Sequence, residues 1–146
     1  MEQRMVLNEV NPAAYAAMTG LEKFLAGSSL DKTLKELVKI RASQINGCAF
    51  CLHMHATDAR RNGETEIRIY TLNAWRETSY FTPAERAALA LTEAVTLVAG
   101  NHVPDDVYAE AAEHFDQKQL SELLMAIVTI NAWNRIAITT GMMPPA

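Results

Sequence analysis

Both cysteines of the chain, Cys48 and Cys51, stand three positions apart, and His55 follows four positions after the second. Two thiols with this spacing at the start of a helix can approach within disulfide distance. The unpaired N–H groups there and the helix dipole stabilise a thiolate, and a nearby imidazole can act as its base. Because successive residues turn by about 100°, these three side chains share one helix face and His53 lies on the opposite side. The pattern favours a redox-active thiol pair over a metal site or an inert buried pair.

The spacing argues against the other common sites built on a Cys-x-x-Cys pair. A c-type haem site needs a histidine directly after the second cysteine, where this chain has Leu52. Structural zinc needs four ligands, and the two remaining histidines, His102 and His114, do not form a second ligand pair. A thioredoxin-type motif follows a strand, whereas the pattern here is helical on both sides. We therefore expect no metal and no cofactor, and we interpret His102 and His114 as structural.

Length and composition limit the classes to which the protein can belong. Its 146 residues are typical of one domain spanning 1–146, and a hydrophobic fraction of 49% is sufficient for a core. A net charge of −4 gives no support to electrostatic nucleic-acid binding. The N-terminus lacks the apolar region of a signal peptide, and the uncharged run from Leu123 to Asn134 has 12 residues, against roughly 20 for a membrane span. We expect a soluble cytoplasmic protein, without membrane association, in a compartment where such cysteine pairs are usually catalytic or metal-binding.

Apolar residues recur at helical spacing along most of the chain, and proline or glycine marks several helix ends. The strongest local signal is the run Thr82-Pro83-Ala84-Glu85, which has the residues of a capping box. No segment shows sustained alternation with a period of two, so we predict an all-α fold of about six or seven helices. The predicted ranges are 12–26, 30–45, 48–61, 64–75, 83–98, 104–115 and 118–139, with a loop at 76–81.

The Asn46-Gly47 turn joins two of these predicted helices into a central hairpin that carries both cysteines. Positions 36 and 55 are equally far from the middle of the turn. Antiparallel packing therefore places Glu36 level with His55, where its carboxylate could hold the ring. Helical periodicity does not select Glu36, since it puts this residue at the polar edge of its helix, where a solvated glutamate is the ordinary case.

Glu36, Cys48, Cys51 and His55 together form the pattern Glu-x11-Cys-x2-Cys-x3-His. With the wording KIRASQINGCAFCLHMH at 39–55 and the run PAERAAL at 83–89, this pattern resembles the core of the AhpD-like alkylhydroperoxidases in the carboxymuconolactone decarboxylase family. The resemblance covers roughly residues 20–100. Decarboxylase members of that family generally lack the cysteine pair, so its presence indicates the peroxidase-like branch.

The resemblance implies an all-helical fold, trimers or hexamers, and thiol-dependent peroxide reduction without haem or metal. By analogy Cys51 is the attacking thiolate, Cys48 is the resolving thiol, and Glu36 and His55 form a proton relay. Cys51 passes through a sulfenic acid to the disulfide, which an external thiol or disulfide reductant reopens. Phe50 stands where the family usually has a histidine, so one proton shuttle is missing. The helix start by itself favours Cys48 as the more acidic thiol, whereas His55 favours Cys51, which we take as the attacking residue.

Two other functions remain open from the residues. A redox-sensing or disulfide-exchange adaptor would use the same cysteine pair to signal to a partner, and a decarboxylase-type enzyme would act on a small carboxylate without needing the pair. Asn131, Asn134 and Arg135 interrupt the apolar last helix. We interpret them as a polar patch at a subunit contact, with an exposed polar stripe as the alternative.

Overall fold

The computed structural model describes residues 2–146, and over that range the chain is all-helical, as predicted. Each of the seven predicted ranges overlaps an α-helix. Two short α-helices and one 3-10 segment, Leu72–Glu77, bring the helical segments among the described residues to ten. The α-helices are α1 (Leu7–Val10), α2 (Pro12–Ala26), α3 (Lys32–Asn46), α4 (Ala49–Arg61), α5 (Glu66–Tyr70), α6 (Pro83–Thr96), α7 (Val98–Asn101), α8 (Asp105–His114) and α9 (Gln117–Thr140).

Local side-chain caps define the starts of the long helices. The predicted capping box at α6 is present: the Thr82 side chain accepts from the backbone N–H of Glu85, and the Glu85 carboxylate accepts from the backbone N–H of Thr82. Asp116 and Gln119 form a second capping box at α9. These caps satisfy N–H groups that have no partner inside a helix, and they explain why the sequence locates these helix starts closely.

Two of the predicted helices are shorter in the structure than the sequence indicated. The predicted helix 64–75 is an α-helix only over α5, and the 3-10 segment that follows extends into the expected loop. Leu72 and Trp75 are the buried residues of that segment, and the backbone is kinked between them at Ala74, which has φ −118° and ψ 30°. The predicted helix 83–98 ends at Thr96, and α7 begins after the exposed Leu97.

The central helix is α3, which packs against α4, α6 and α9. The 24-residue α9 is long and apolar enough, by length and composition alone, to cross a membrane. Its apolarity has another explanation here, because Leu123, Ile127 and Ile130 are fully buried against the rest of the protein. A long helix at the centre of a helical bundle needs such a face.

A cluster of side-chain amides fixes α9 to the hairpin turn. The Asn46 side-chain amide donates to the side-chain oxygens of Asn131 and Asn134, at 2.9 Å each. Asn134 is fully buried and donates in turn to the Ser43 hydroxyl at 3.0 Å. The predicted subunit contact is therefore wrong for Asn134, which is satisfied inside the chain. Arg135 is exposed and bonds to Asn131.

Candidate active site

The turn between α3 and α4 brings the cysteine pair to the start of α4. Gly47 has φ 70°, a left-handed conformation that favours glycine and reverses the chain sharply. Cys48 then becomes the N-cap of α4, and its backbone N–H donates to the Ser43 carbonyl at 3.0 Å. The hairpin predicted from the Asn46-Gly47 pair is present, with α3 and α4 in extensive contact.

The two cysteines are joined in a disulfide, with their Cα atoms 5.3 Å apart. Both are buried, at 1% and 2% exposure. The Cys51 backbone N–H donates to Cys48 Sγ at 3.3 Å, so the sulfur occupies the position that a serine or aspartate oxygen takes at an ordinary N-cap. The structure therefore represents the oxidised form, and the spacing of three residues permits the bond that the sequence predicted.

Glu36 and His55 meet across the hairpin, as the position of the turn predicted. Glu36 Oε2 lies 3.2 Å from His55 Nδ1, and both side chains are buried. With Glu36 ionised, Nδ1–H donates to the carboxylate, which leaves Nε2 as the ring nitrogen that can exchange a proton. Glu36 is therefore a buried partner of the ring and not the solvated glutamate that periodicity alone suggested.

The charge state of Glu36 follows from its neighbours. Burial by itself raises the pKa of this carboxyl, but the hydrogen bond with His55 and the positive charge of Lys39 together lower it by more, and the resulting pKa lies below the usual value of 4.5. The Lys39 ammonium is 3.7 Å from Glu36 Oε1. Glu36 is thus a carboxylate at neutral pH and can stabilise a positive charge on the imidazole.

A cavity of about 550 Å³ opens onto this cluster between the N-terminal residues, α2, α3, α4 and α9. Among the described residues, its lining includes Cys51, Glu36 and His55 but not Cys48. Aromatic side chains form part of the wall: Tyr15, Phe50 and Trp133. The Tyr15 and Trp133 rings meet edge to face with their centroids 5.8 Å apart. The cavity therefore joins one of the two sulfurs, the Glu36–His55 pair and an apolar wall.

Sequence reasoning missed three charged side chains that also line the cavity: Glu22, Lys39 and Asp58. Lys39 and Asp58 each stand three residues after a predicted site residue, so helical phase could have found them. Glu22 belongs to α2, and its Oε1 accepts from Trp133 Nε1 of α9 at 2.9 Å. No local pattern signals that contact, because it joins residues 111 positions apart.

The other histidines lie away from the cluster. His53 is exposed on the opposite side of α4, as its helical phase predicted, and His102 and His114 do not line the cavity. Glu36, His55 and Asp58 each offer one ligand atom to a metal, and these atoms lie within 4.8 Å of one another. This set is one ligand short of the four that a structural zinc site takes.

Comparison with known proteins identifies the family. A model of the carboxymuconolactone decarboxylase family matches residues 12–94, more than half of the chain. The chain belongs to this family. The uncharacterized protein YdfG of Bacillus subtilis is 48% identical to this chain over 141 residues, which cover 97% of this chain and 96% of that protein.

Solved structures place the chain with the AhpD-like core domains of the family. A protein of unknown function from Agrobacterium tumefaciens, a candidate antioxidant defence protein AhpD, superposes with a TM-score of 0.96 at 36% identity and covers 99% of both chains. The debrominase Bmp8 superposes with a TM-score of 0.84 at 22% identity, over 94% of this chain and 74% of its own, which shows a shared fold alone. The fold and the cysteine pair are consistent with peroxidase-related chemistry.

Proposed function

We propose that the protein is a thiol-dependent hydroperoxide reductase of antioxidant defence. The observation that carries the proposal is the buried Cys48–Cys51 disulfide beside the Glu36–His55 pair, with Cys51 facing an apolar cavity. A redox pair, a proton relay and a space for a small molecule are the parts that this reaction needs. The redox pair and the Glu36–His55 pair come from the adjacent helices α3 and α4 and the turn between them, which hold these side chains in a defined geometry.

In the proposed reaction the reduced Cys51 thiolate attacks one peroxide oxygen and the O–O bond breaks. The product alcohol leaves with a proton from the relay, and Cys51 becomes a sulfenic acid. The Cys48 thiol then attacks Cys51 Sγ, water leaves, and the disulfide forms. An external dithiol supplies two electrons and two protons through thiol–disulfide exchange and restores both cysteines.

The roles of the two cysteines follow from their surroundings. Cys51 lines the cavity and can meet a substrate, which supports it as the attacking residue. Cys48 Sγ accepts the N–H of Cys51 at the helix start, and such a hydrogen bond also stabilises a thiolate on Cys48 in the reduced protein. A partly ionised Cys48 is a good resolving nucleophile, so the two observations support different steps for the two sulfurs.

His55 and Glu36 act as the proton relay. His55 Nε2 takes the thiol proton or returns one to the leaving alkoxide, while Glu36 holds Nδ1 and stabilises the imidazolium. The side chain at position 50 is phenylalanine, so the relay has no second imidazole directly before Cys51.

The alternatives receive less support from the cavity. A decarboxylase-type substrate is a carboxylate, and Glu22, Glu36 and Asp58 give the cavity wall an excess of negative charge. A pure adaptor has no need for a cavity of about 550 Å³ beside its disulfide. Bmp8, which shares the fold, is a debrominase, so the fold by itself does not select the peroxide reaction and an assay must.

We also propose one domain over residues 1–146, a cytoplasmic location and a homo-oligomer, a trimer or a hexamer. Leu124, Val128 and Ile138 are exposed along the outer side of α9, at 43%, 42% and 46%, and such an apolar stripe supports a subunit contact. Light scattering coupled to size-exclusion chromatography measures the oligomer directly.

The test of the proposed function is peroxide consumption with dithiothreitol as the reductant. We expect Cys51→Ser to abolish turnover. We expect His55→Ala to slow turnover by about 100-fold, which is the lower end of the usual contribution of a general acid or base. Cys48→Ser retains a side chain that can cap α4, so its expected defect, a sulfenic acid that accumulates on Cys51, is not a folding defect. Full turnover by the double cysteine variant would overturn the proposal. Slow turnover with rapid exchange against a partner disulfide would indicate the adaptor instead.

A further inference from the structure

The cavity wall has more acidic than basic side chains. Among the described residues that line it, the carboxylates are Glu22, Glu36 and Asp58, the ammonium is Lys39, and His55 is the titratable ring. Even with His55 protonated, three negative charges face two positive ones. With His55 neutral, three face one. The cavity wall therefore carries net negative charge in either state of the ring.

The three carboxylates differ in how far they are neutralised. Glu36 contacts both Lys39 and His55. Asp58 is 3.8 Å from Arg61, and because their side chains are 42% and 76% exposed, solvent weakens that pair. Glu22 is bound only through the neutral indole N–H of Trp133, and no basic side chain within residues 2–146 forms an ion pair with it.

The position of Glu22 makes its charge effective inside the cavity. The hydrogen bond to Trp133 at 2.9 Å fixes its carboxylate to the aromatic wall, beside the Tyr15–Trp133 ring pair. An anion that enters this space gives up water and gains no free cation, since Lys39 is engaged by Glu36. A neutral apolar molecule gains contact with the aromatic wall and pays no such electrostatic penalty.

We propose that the cavity selects neutral, apolar organic hydroperoxides and discriminates against those that carry a carboxylate, with Glu22 as the principal specificity-determining residue and Asp58 as a weaker one. This inference rests on the proposed function for its substrate, but the charge selection itself concerns access to Cys51 and can be measured without peroxide.

The peroxide-free test is alkylation of Cys51 by a neutral and an anionic reagent of similar size. The protein is Cys48→Ser, reduced and desalted, in which Cys51 is the one thiol. Iodoacetamide and iodoacetate both react by the same step, in which the thiolate sulfur forms a bond to carbon and iodide leaves. The ratio of the two rates is divided by the ratio for 2-mercaptoethanol, which removes the intrinsic difference between the reagents.

We expect the normalised ratio to favour iodoacetamide by about tenfold at low salt and to fall at 0.5 M salt, because salt screens the carboxylates. Glu22→Gln should lower the preference by about threefold, by speeding iodoacetate and leaving iodoacetamide unchanged. Asp58→Asn should have a smaller effect, because its charge is exposed and paired. The control is Glu113→Gln, which removes the same charge from an exposed position on α8 outside the cavity wall and should change nothing.

The substrate test compares cumene hydroperoxide with its para-carboxylate under dithiothreitol turnover. We expect kcat/KM to favour the neutral compound by about tenfold, and Glu22→Gln to recover about threefold for the carboxylate alone. Equal normalised alkylation rates in the wild-type cavity, or a Glu22→Gln effect of the same size on both reagents, would overturn the inference. If neither hydroperoxide is reduced while the alkylation preference stands, the proposed function fails and the charge selection survives.

Discussion

Replacing Glu36 by glutamine separates the charge of the relay from its shape. The amide has nearly the same size as the carboxylate and can still accept a hydrogen bond from His55 Nδ1–H. What it cannot do is stabilise the positive charge that the ring acquires when it takes the Cys51 proton. The perturbation therefore acts on the proposed chemical step and keeps the contact between α3 and α4.

The size of the effect follows from the contact itself. Glu36 Oε2 lies 3.2 Å from His55 Nδ1 in a buried setting. A hydrogen bond to a charged group contributes about 1.5–3 kcal/mol. Since about 1.4 kcal/mol corresponds to a factor of ten, the rate of Cys51 oxidation should fall by about 10- to 100-fold in Glu36→Gln.

The assay is a single-turnover measurement, which excludes the external reductant. Reduced protein is mixed with cumene hydroperoxide, and thiol loss is followed in time at pH 7. The matched control is Glu93→Gln. Glu93 is also a partly buried glutamate whose pKa is lowered despite the burial that raises it, through Arg76 and Arg41, but it lies outside the cavity wall. Both variants should have a lower free energy of unfolding, but only Glu36→Gln should slow the oxidation of Cys51.

Two results would refute this reasoning. If Glu36→Gln reacts as fast as the wild type, the Glu36–His55 contact serves packing and not proton transfer. If Glu36→Gln and Glu93→Gln slow the reaction equally, in proportion to their loss of stability, the rate effect comes from the fold. Melting temperatures measured on the same samples distinguish these two outcomes.

Other predictions concern stability and access. Burial raises the pKa values of Glu85 and Glu93, but Arg68 and Arg76, respectively, outweigh it, and both pKa values lie below the usual 4.5. The stability that these carboxylates contribute is present above about pH 4.5 and is lost as the pH falls towards their folded pKa values. The free energy of unfolding measured with urea should therefore decrease from pH 5 to pH 3, and a flat profile would contradict this. Gly47→Ala should lower the free energy of unfolding by about 1 kcal/mol, because alanine is strained in the left-handed backbone conformation. Gly141→Ala should lower it by more, since the added Cβ would also lie 3.1 Å from an N-terminal carbonyl oxygen. Equal losses in the two variants would mean that this contact is unimportant. Arg4 holds the N-terminal segment to the end of α9 through backbone and side-chain hydrogen bonds of 2.7 and 3.0 Å. Arg4→Ala removes the side-chain bond and should speed the labelling of reduced Cys51 by iodoacetamide by a few-fold. An unchanged rate would show that this segment does not limit access to the cavity.

Much of the site could be predicted from short-range pattern. The cysteine spacing and the phase of His55 determine one face of one helix, and the Asn46-Gly47 pair determines where the hairpin reverses. The family resemblance singled out Glu36, and that reversal explains its position, because two antiparallel helices joined by a tight turn bring equidistant positions level with each other.

The sequence did not predict the features that depend on contacts between distant segments. Periodicity gave 64–75 as one helix, whereas the structure has the short α5 followed by a 3-10 segment that is kinked at Ala74 and buries Leu72 and Trp75. Asn134 was interpreted as part of a surface patch, and only its contacts with Asn46 and Ser43 show that it is a buried structural residue.

The sequence by itself therefore determined the chemistry available to this protein: two thiols, an imidazole and a carboxylate, each placed by helical repeat or turn geometry within about 20 residues of the others. The tertiary structure alone decided which sulfur faces the cavity and which charges surround it. Glu22 and Trp133 lie 111 positions apart, and their contact depends on how α2 and α9 pack, which no local spacing encodes.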